Sequence, residues 1–225
     1  MSVSVQESLL DMGGDGPAPG PLAGSVRRTP LARGAWVDFC PGWLAGSAEV
    51  FGALVETVPW RAEQRRMYDR VVAVPRLTCF YGEDAPLPDP LLTAAREALD
   101  AHYGPELGEP FRTAGLCLYR DGRDSVAWHG DTIGRGQFED TMVAIVSLGS
   151  PRVLALRPHG RPAGHGRVGS PEPEPGVRPL RFEVGHGDLL VMGGSCQRTW
   201  EHAVPKTSRA IGPRISVQFR PQGVR

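Results

Sequence analysis

Arg214-Ile215-Ser216-Val217-Gln218-Phe219-Arg220 alternates polar and apolar residues without a break. Successive side chains of a strand point to opposite faces. Arg214, Ser216, Gln218 and Arg220 therefore share one face, and Ile215, Val217 and Phe219 share the other. The apolar set suits an outer packing layer and the polar set an interior cavity. Two arginines inside a barrel need partners, because a buried charge is costly unless paired. A bound dicarboxylate would pair them. An edge strand with its arginines in water shows the same alternation, so the pattern alone leaves both readings open.

Working back from this strand, the chain reads as strand from residue 113 onward. The candidates are Gly115 to Tyr119, Val126 to Asp131, Met142 to Leu148, Val153 to Leu156, Leu180 to Val184, Leu189 to Met192 and Arg214 to Phe219. Asp121-Gly122, Gly149-Ser150-Pro151, Gly185-His186-Gly187-Asp188 and Gly193-Gly194 separate them as turns. Many short strands at such spacing indicate a sandwich or jelly roll, mostly β with flanking helices. Pro158 to Pro179, dense in Gly, Pro, Arg and Glu, reads as a long surface loop. His159, His165 and His186 fall in or beside loops and read as solvated.

Further upstream, Val50, Phe51, Leu54, Val55 and Val58 recur at helical spacing, and Pro59 ends the pattern. Asp89-Pro90 supplies an N-cap and a first-turn proline for a second helix. Leu91, Leu92, Ala95, Leu99 and His102 fall on one side of it, and Gly104 is its expected stop. Arg65 to Gly82 lies between the helices and is rich in β-branched and aromatic residues, which suggests strands, with Pro75 at an edge or a break. Aromatics among arginines could form a base-stacking surface or an ordinary hairpin with core aromatics, and composition does not choose. Residues 1 to about 30 are rich in Gly, Pro and Ala and read as a mobile arm. Residues 31 to 225 then form one catalytic domain.

Hydrophobic content is 40 % and charged content 22 %, as in an ordinary globular protein. No apolar run is long enough to span a bilayer, so no membrane partner is expected. The N-terminus lacks the regions of a signal peptide. Four cysteines, Cys40, Cys79, Cys117 and Cys196, are scattered without C-x-x-C spacing. That suits a reducing cytoplasm, the expected location. The formal net charge is zero, so no global field draws the chain to nucleic acid. Lys206 is the only lysine. The arginines could still form a local basic face, although a genome's base composition is the plainer main cause of such a preference. Nothing suggests an obligate oligomer, and a monomer is expected.

The chemistry centres on Trp128-His129-Gly130-Asp131. If this is a strand, His129 and Asp131 face one side and can bind one metal ion. The third ligand must come from a strand distant in sequence, which a jelly roll places opposite. His202, in Trp200-Glu201-His202-Ala203-Val204-Pro205 after a strand and a Gly-Gly turn, is the leading candidate. Two histidines and a carboxylate with open positions suit non-haem Fe(II) and O₂ chemistry. Tyr119, on a face with Cys117, could aim its hydroxyl at the same dicarboxylate as Arg214. A tyrosine by itself in such a strand is more often a core residue with a satisfied hydroxyl.

Five blocks in order resemble the AlkB family of Fe(II)/2-oxoglutarate nucleic-acid dioxygenases, over roughly residues 60 to 221. They are Pro75-Arg76-Leu77-Thr78-Cys79-Phe80-Tyr81-Gly82, then Tyr119-Arg120-Asp121-Gly122 running on to His129-Gly130-Asp131, then Gly187 to Gly194, then His202 with Val204-Pro205, and last Arg214 to Arg220. The resemblance implies a double-stranded β-helix, with a nucleotide-recognition lid at about 60–85 and a jelly-roll core at about 113–221. It implies His129, Asp131 and His202 as the catalytic iron ligands. Tyr119 and Arg214 would bind the distal carboxylate of 2-oxoglutarate, with Arg220 near the metal and the other carboxylate. Cys117, Ser216 and Gln218 stand where relatives carry Asn, Asn and Thr against the cosubstrate. Arg76, Phe80, Tyr81 and Trp128 would meet the substrate, and Met67 and Tyr68 could wedge into a duplex. The implied reaction uses Fe(II), 2-oxoglutarate and O₂ to hydroxylate the N-alkyl group of a 1-methyladenine or 3-methylcytosine type base in DNA or RNA. The adduct then collapses to the free base and an aldehyde, and the base must leave its stack to react.

Three rivals remain. A 2-oxoglutarate oxygenase acting on a protein or small molecule would share the metal and cosubstrate sites without the 67–82 lid. A zinc hydrolase would give Arg214 and Arg220 no role. A jelly-roll binding module would need no open metal site.

Overall fold

The structure, a computed structural model, describes residues 16–67, 70–159 and 178–224, with backbone only at 65–67 and 70–73. Its elements in order are β1 (Ala18–Pro19), β2 (Arg27–Pro30), β3 (Ala35–Cys40), β4 (Leu44–Ala45), α1 (Ala48–Thr57), β5 (Arg61–Met67), β6 (Arg70–Tyr81), α2 (Pro90–Leu107), β7 (Thr113–Tyr119) and β8 (Val126–His129). There follow β9 (Val143–Gly149), β10 (Arg152–Pro158), β11 (Leu180–Val184), β12 (Leu189–Gly194), α3 (Cys196–Thr199), β13 (Trp200–Val204) and β14 (Arg214–Arg220). Eight strands form one sheet in the order β2-β3-β12-β9-β14-β7-β6-β5, and four form a second in the order β11-β10-β13-β8. This is the mostly β jelly roll expected, with helices on one side.

Alternation decides which face of the large sheet meets which layer. Ile215, Val217 and Phe219 join Leu116, Leu118, Ala144, Val146 and Leu148 in a core shared with the apolar sides of α1 and α2. Val143, Ile145, Leu190 and Met192 face the other way and pack with Leu154, Leu156, Val184, Trp200 and Val204 of the small sheet. β9 is buried along its whole length because both its faces are covered. Asp89 caps α2 by accepting the amide of Leu91 at 2.8 Å. The helix runs past the expected stop at Gly104 to Leu107, because the left-handed terminating position is Gly108 (φ 81°). His102 is exposed, and Tyr103 is the buried residue of that turn.

Several expectations are corrected. The arm expected over 1–30 is ordered from at least β1. The Gly20 amide donates to the Trp43 carbonyl at 2.6 Å, the Trp43 indole returns a bond to the Gly20 carbonyl, and Leu22 is buried. β2 then pairs with β3, where Arg28 makes a two-pronged contact with buried Asp38 at 2.8 and 2.9 Å. Composition could not show this, because the partners lie 10 and 23 residues away. Residues 1–15 lie outside the described residues, as do Tyr68, His165 and the 160–177 part of the long loop.

Pro75 breaks nothing. It sits where β6 shifts register against β5, between the Ala62–Leu77 and Gln64–Ala73 pairs, beyond the stretch that pairs with β7. A bulge tolerates a residue without an amide proton. His186 is not solvated. Its Nδ1 accepts the Gly149 amide at 2.8 Å, which leaves the proton on Nε2 to face Ser47 Oγ at 2.9 Å.

Candidate metal centre and dicarboxylate cleft

β8 lies at the edge of the small sheet and pairs with β13, so that His129 stands opposite His202. Their ring centroids are 4.2 Å apart. β8 ends at His129, earlier than the strand read from the sequence, and Asp131 lies two residues beyond it. The carboxylate still reaches the imidazoles. One ligand atom from each of His129, Asp131 and His202 lies within 4.8 Å of the others. His202 is mid-strand, with Trp200 and Val204 on its inward side, on a strand that the sequence reading did not mark.

Two of the three ligands, His129 and Asp131, are oriented by a neighbour. His129 Nδ1 is 2.8 Å from the Ala127 carbonyl, which fixes the proton there and leaves Nε2 as the metal-facing nitrogen. The Asp131 amide donates to Gln197 Oε1 at 2.9 Å. Arg220 Nε donates to Asp131 Oδ2 at 2.7 Å. Burial alone would raise the Asp131 carboxyl, but Arg220 and the two imidazoles outweigh it and hold the group down to about 2. Burial pushes His202 down to about 3, so its ring stays neutral and available as a ligand. Gly130 is required by contact, because a Cβ there would fall 2.2 Å from the Gln197 carbonyl oxygen.

The floor of the cleft is the inner face of the large sheet. Its side chains stand in rows across β6, β7 and β14. Tyr119 is opposite Arg214, Thr78 and Ser216 flank Cys117, and Phe80 and Gln218 flank Gly115. Arg76, Cys117, Tyr119, Arg214, Ser216, Gln218 and Arg220 line one cleft with His129 and His202, with a cavity volume of about 60 Å³. The β14 arginines are therefore interior.

Arg214 is buried. Its Nε donates to Ser147 Oγ at 2.8 Å, and its Nη1 is buried without a hydrogen-bond partner. Tyr119 is buried beside it, with the Arg214 guanidinium carbon 5.3 Å from the ring centroid. Burial raises the Tyr119 hydroxyl to about 12, so it is a neutral donor. Gln218 Nε2 donates to Ser216 Oγ at 2.5 Å and to the Ser216 carbonyl at 2.9 Å, which ties the two unusual β14 residues together. Gly115 leaves the room that the Arg220 and Gln218 side chains occupy, since a Cβ there would meet them at 3.0 and 3.1 Å.

The expected substrate residues divide. Arg76 enters the cleft and donates to Cys117 Sγ and the Ser125 carbonyl, both at 3.4 Å. Phe80, half exposed, shares its face of β6. Tyr81 is on the opposite face of β6, packed on the helical core, because neighbours on a strand diverge. Trp128 does not line the cleft but stacks under Arg157 at 4.4 Å, itself paired with Glu201. The Met67 side chain lies outside the described residues with Tyr68. Gln197, Ser147, Gly115 and Arg152 were not singled out by sequence. Only the folded chain brings them to the ligands.

A model described as the 2OG-Fe(II) oxygenase superfamily matches residues 73–220, two thirds of the chain. The chain belongs to that superfamily, whose chemistry uses Fe(II), 2-oxoglutarate and O₂. It is 32% identical over 202 residues to the Bos taurus alpha-ketoglutarate-dependent dioxygenase alkB homolog 3, covering 82% of this chain and 65% of that one. It is 29% identical over 198 residues to the Arabidopsis thaliana DNA oxidative demethylase ALKBH2, covering 76% and 60%. Within the superfamily it is an AlkB-family protein, and it spans a little under two thirds of the length of these curated relatives. The fold also matches an oxidoreductase of the 2OG-Fe(II) oxygenase family from Burkholderia pseudomallei, with a TM-score of 0.52 at 17% identity, over 84% of this chain and 86% of that one. The residues present fit the implied groups. Two imidazoles and a carboxylate with an open side suit Fe(II), and the orphaned Arg214 Nη1 beside a neutral phenol suits a carboxylate. No helix among the described residues is long and apolar enough to cross a membrane.

Proposed function

We propose that the protein removes alkyl groups oxidatively from N-alkylated bases of the 1-methyladenine or 3-methylcytosine type, in DNA or RNA, as alkylation-damage repair. The observation that carries the reading is the buried, unpartnered Arg214 Nη1 sharing one cleft with the His129–Asp131–His202 cluster. A zinc hydrolase or a plain binding module gives such an arginine no task, whereas a dicarboxylate cosubstrate completes it. The names of the AlkB relatives, which include a DNA oxidative demethylase, support the nucleic-acid substrate.

His129, Asp131 and His202 hold the iron. Tyr119 and Arg214 take the distal carboxylate of 2-oxoglutarate, with Ser216, Gln218 and Cys117 alongside. Arg220 keeps Asp131 ionised and turned inward. Iron(II) with 2-oxoglutarate supplies the oxygen-activating chemistry when bound. The β5–β6 hairpin, with Arg76 and Phe80 on its cleft side, meets the flipped base.

The test is anaerobic reconstitution with Fe(II) and 2-oxoglutarate, then O₂ with a 1-methyladenine or 3-methylcytosine oligonucleotide. Succinate and formaldehyde released together, only with the methylated strand, is the expected result. Succinate without demethylation would move the substrate to a protein or small molecule. Neither product from iron-loaded protein would overturn the oxygenase reading.

A further inference from the structure

We propose that Arg152 is a positioning residue that couples the Tyr119–Arg214 carboxylate clamp to the two strands carrying the imidazoles. The inference rests on the reading that this cleft binds 2-oxoglutarate. Arg152 opens β10 and is buried. Its Nη1 donates to the Asp121 carbonyl at 3.1 Å, and its Nη2 to the carbonyls of Asp124 and Pro205, both at 2.8 Å. Asp121 and Asp124 belong to the turn that feeds β8 and His129. Pro205 is the residue that leaves β13 and His202. One planar fork therefore joins the entry of one ligand strand to the exit of the other.

The same guanidinium carbon lies 5.5 Å from the Tyr119 ring centroid, and that of Arg214 lies 5.3 Å from it. Among the described residues no carboxylate bonds Arg152. Asp124 is engaged by Arg120 through two contacts at 2.8 and 2.9 Å, and Asp121 by Arg123 at 2.7 Å. Three buried carbonyls alone would have been met as well by a neutral donor set. A full charge set against the clamp tyrosine also adds a positive field where a carboxylate docks. Lysine keeps that charge but has no fork to span three carbonyls, so Arg152→Lys separates the two contributions.

The measurement is the affinity for 2-oxoglutarate, titrated anaerobically with Mn(II) in place of iron, without nucleic acid and without turnover. It is made in the wild type, Arg152→Lys, Tyr119→Phe and the double variant, alongside the melting temperature of each. Arg152→Lys is expected to weaken 2-oxoglutarate roughly tenfold or more, the usual scale for a lost orienting contact. In the Tyr119→Phe background the same change should cost less than about twofold, because the residue acts through the tyrosine. Equal losses in both backgrounds, or an affinity within about twofold of wild type, would reduce Arg152 to a structural tie and overturn the proposal. Should Arg152→Lys not fold, Arg152→Gln is read against the same two outcomes. A wild type that binds Mn(II) but no 2-oxoglutarate would overturn the cosubstrate reading itself, before any variant is compared.

Discussion

At the scale of single residues, the site depends on atoms that are absent as much as on those present. Gly130 lies between two ligands, and its hydrogen faces the Gln197 carbonyl where a methyl would sit at 2.2 Å. Gly130→Ala must push β8 from α3 and turn Asp131 away from the imidazoles. The expected outcome is a folded protein with Mn(II) affinity reduced by roughly ten- to a hundredfold, read by titration calorimetry. Arg214 is the converse case, a buried charge whose Nη1 lacks a partner. Replacing a poorly compensated buried charge by an apolar residue of similar length is often neutral or stabilising. Arg214→Met should therefore leave the melting temperature of the ligand-free protein unchanged or raised, while binding of 2-oxoglutarate is lost. A fall in both together would mean that the guanidinium serves the fold.

At the scale of elements, the contact most exposed to mutation is the one that holds β2. Asp38 is buried on β3, bonded by both prongs of Arg28 and by the Tyr103 hydroxyl at 3.1 Å. Arg28 also reaches Glu106 on α2 and lies 3.6 Å from the Trp36 ring centroid. Asp38→Ala leaves a guanidinium and a phenol without their acceptor. Urea unfolding should show a loss of about 3–5 kcal/mol, the cost of breaking a buried pair from one side. Glu106→Ala, which removes an exposed partner, should cost no more than about 1 kcal/mol. β14 was legible in the sequence because alternation with period two is local. β13 was less so, since Trp200 to Val204 is buried through most of its length and carries no clean polar face.

For the whole molecule, the metal centre is also a folding contact. β8 and β13 meet in the register that sets His202 against His129, but only through a short and irregular pairing. A metal bridging them binds the folded chain and not the unfolded one. At a free Mn(II) concentration a hundredfold above Kd, the unfolding free energy should rise by roughly 2.7 kcal/mol. Chemical unfolding with and without excess chelator checks this. Asp131→Ala, expected to bind no metal, should show no such difference.

The sequence by itself determined the period-two strands, both helices with the Asp89 cap, the candidate ligands and the alternation of β14. Each of these is a local pattern, or a block order shared with a known family. Tertiary structure decided that residues 18 to 30 join the fold, that Tyr81 and Trp128 turn from the cleft, and that His186 ties a turn to α1. It also decided which side chains orient the ligands. Gln197, Ser147 and Arg152 act on residues 66, 67 and 33 positions away or on carbonyls that carry no side-chain label. A backbone carbonyl is the same in every residue, so the need for a fork to gather three of them appears only once the strands have brought them together.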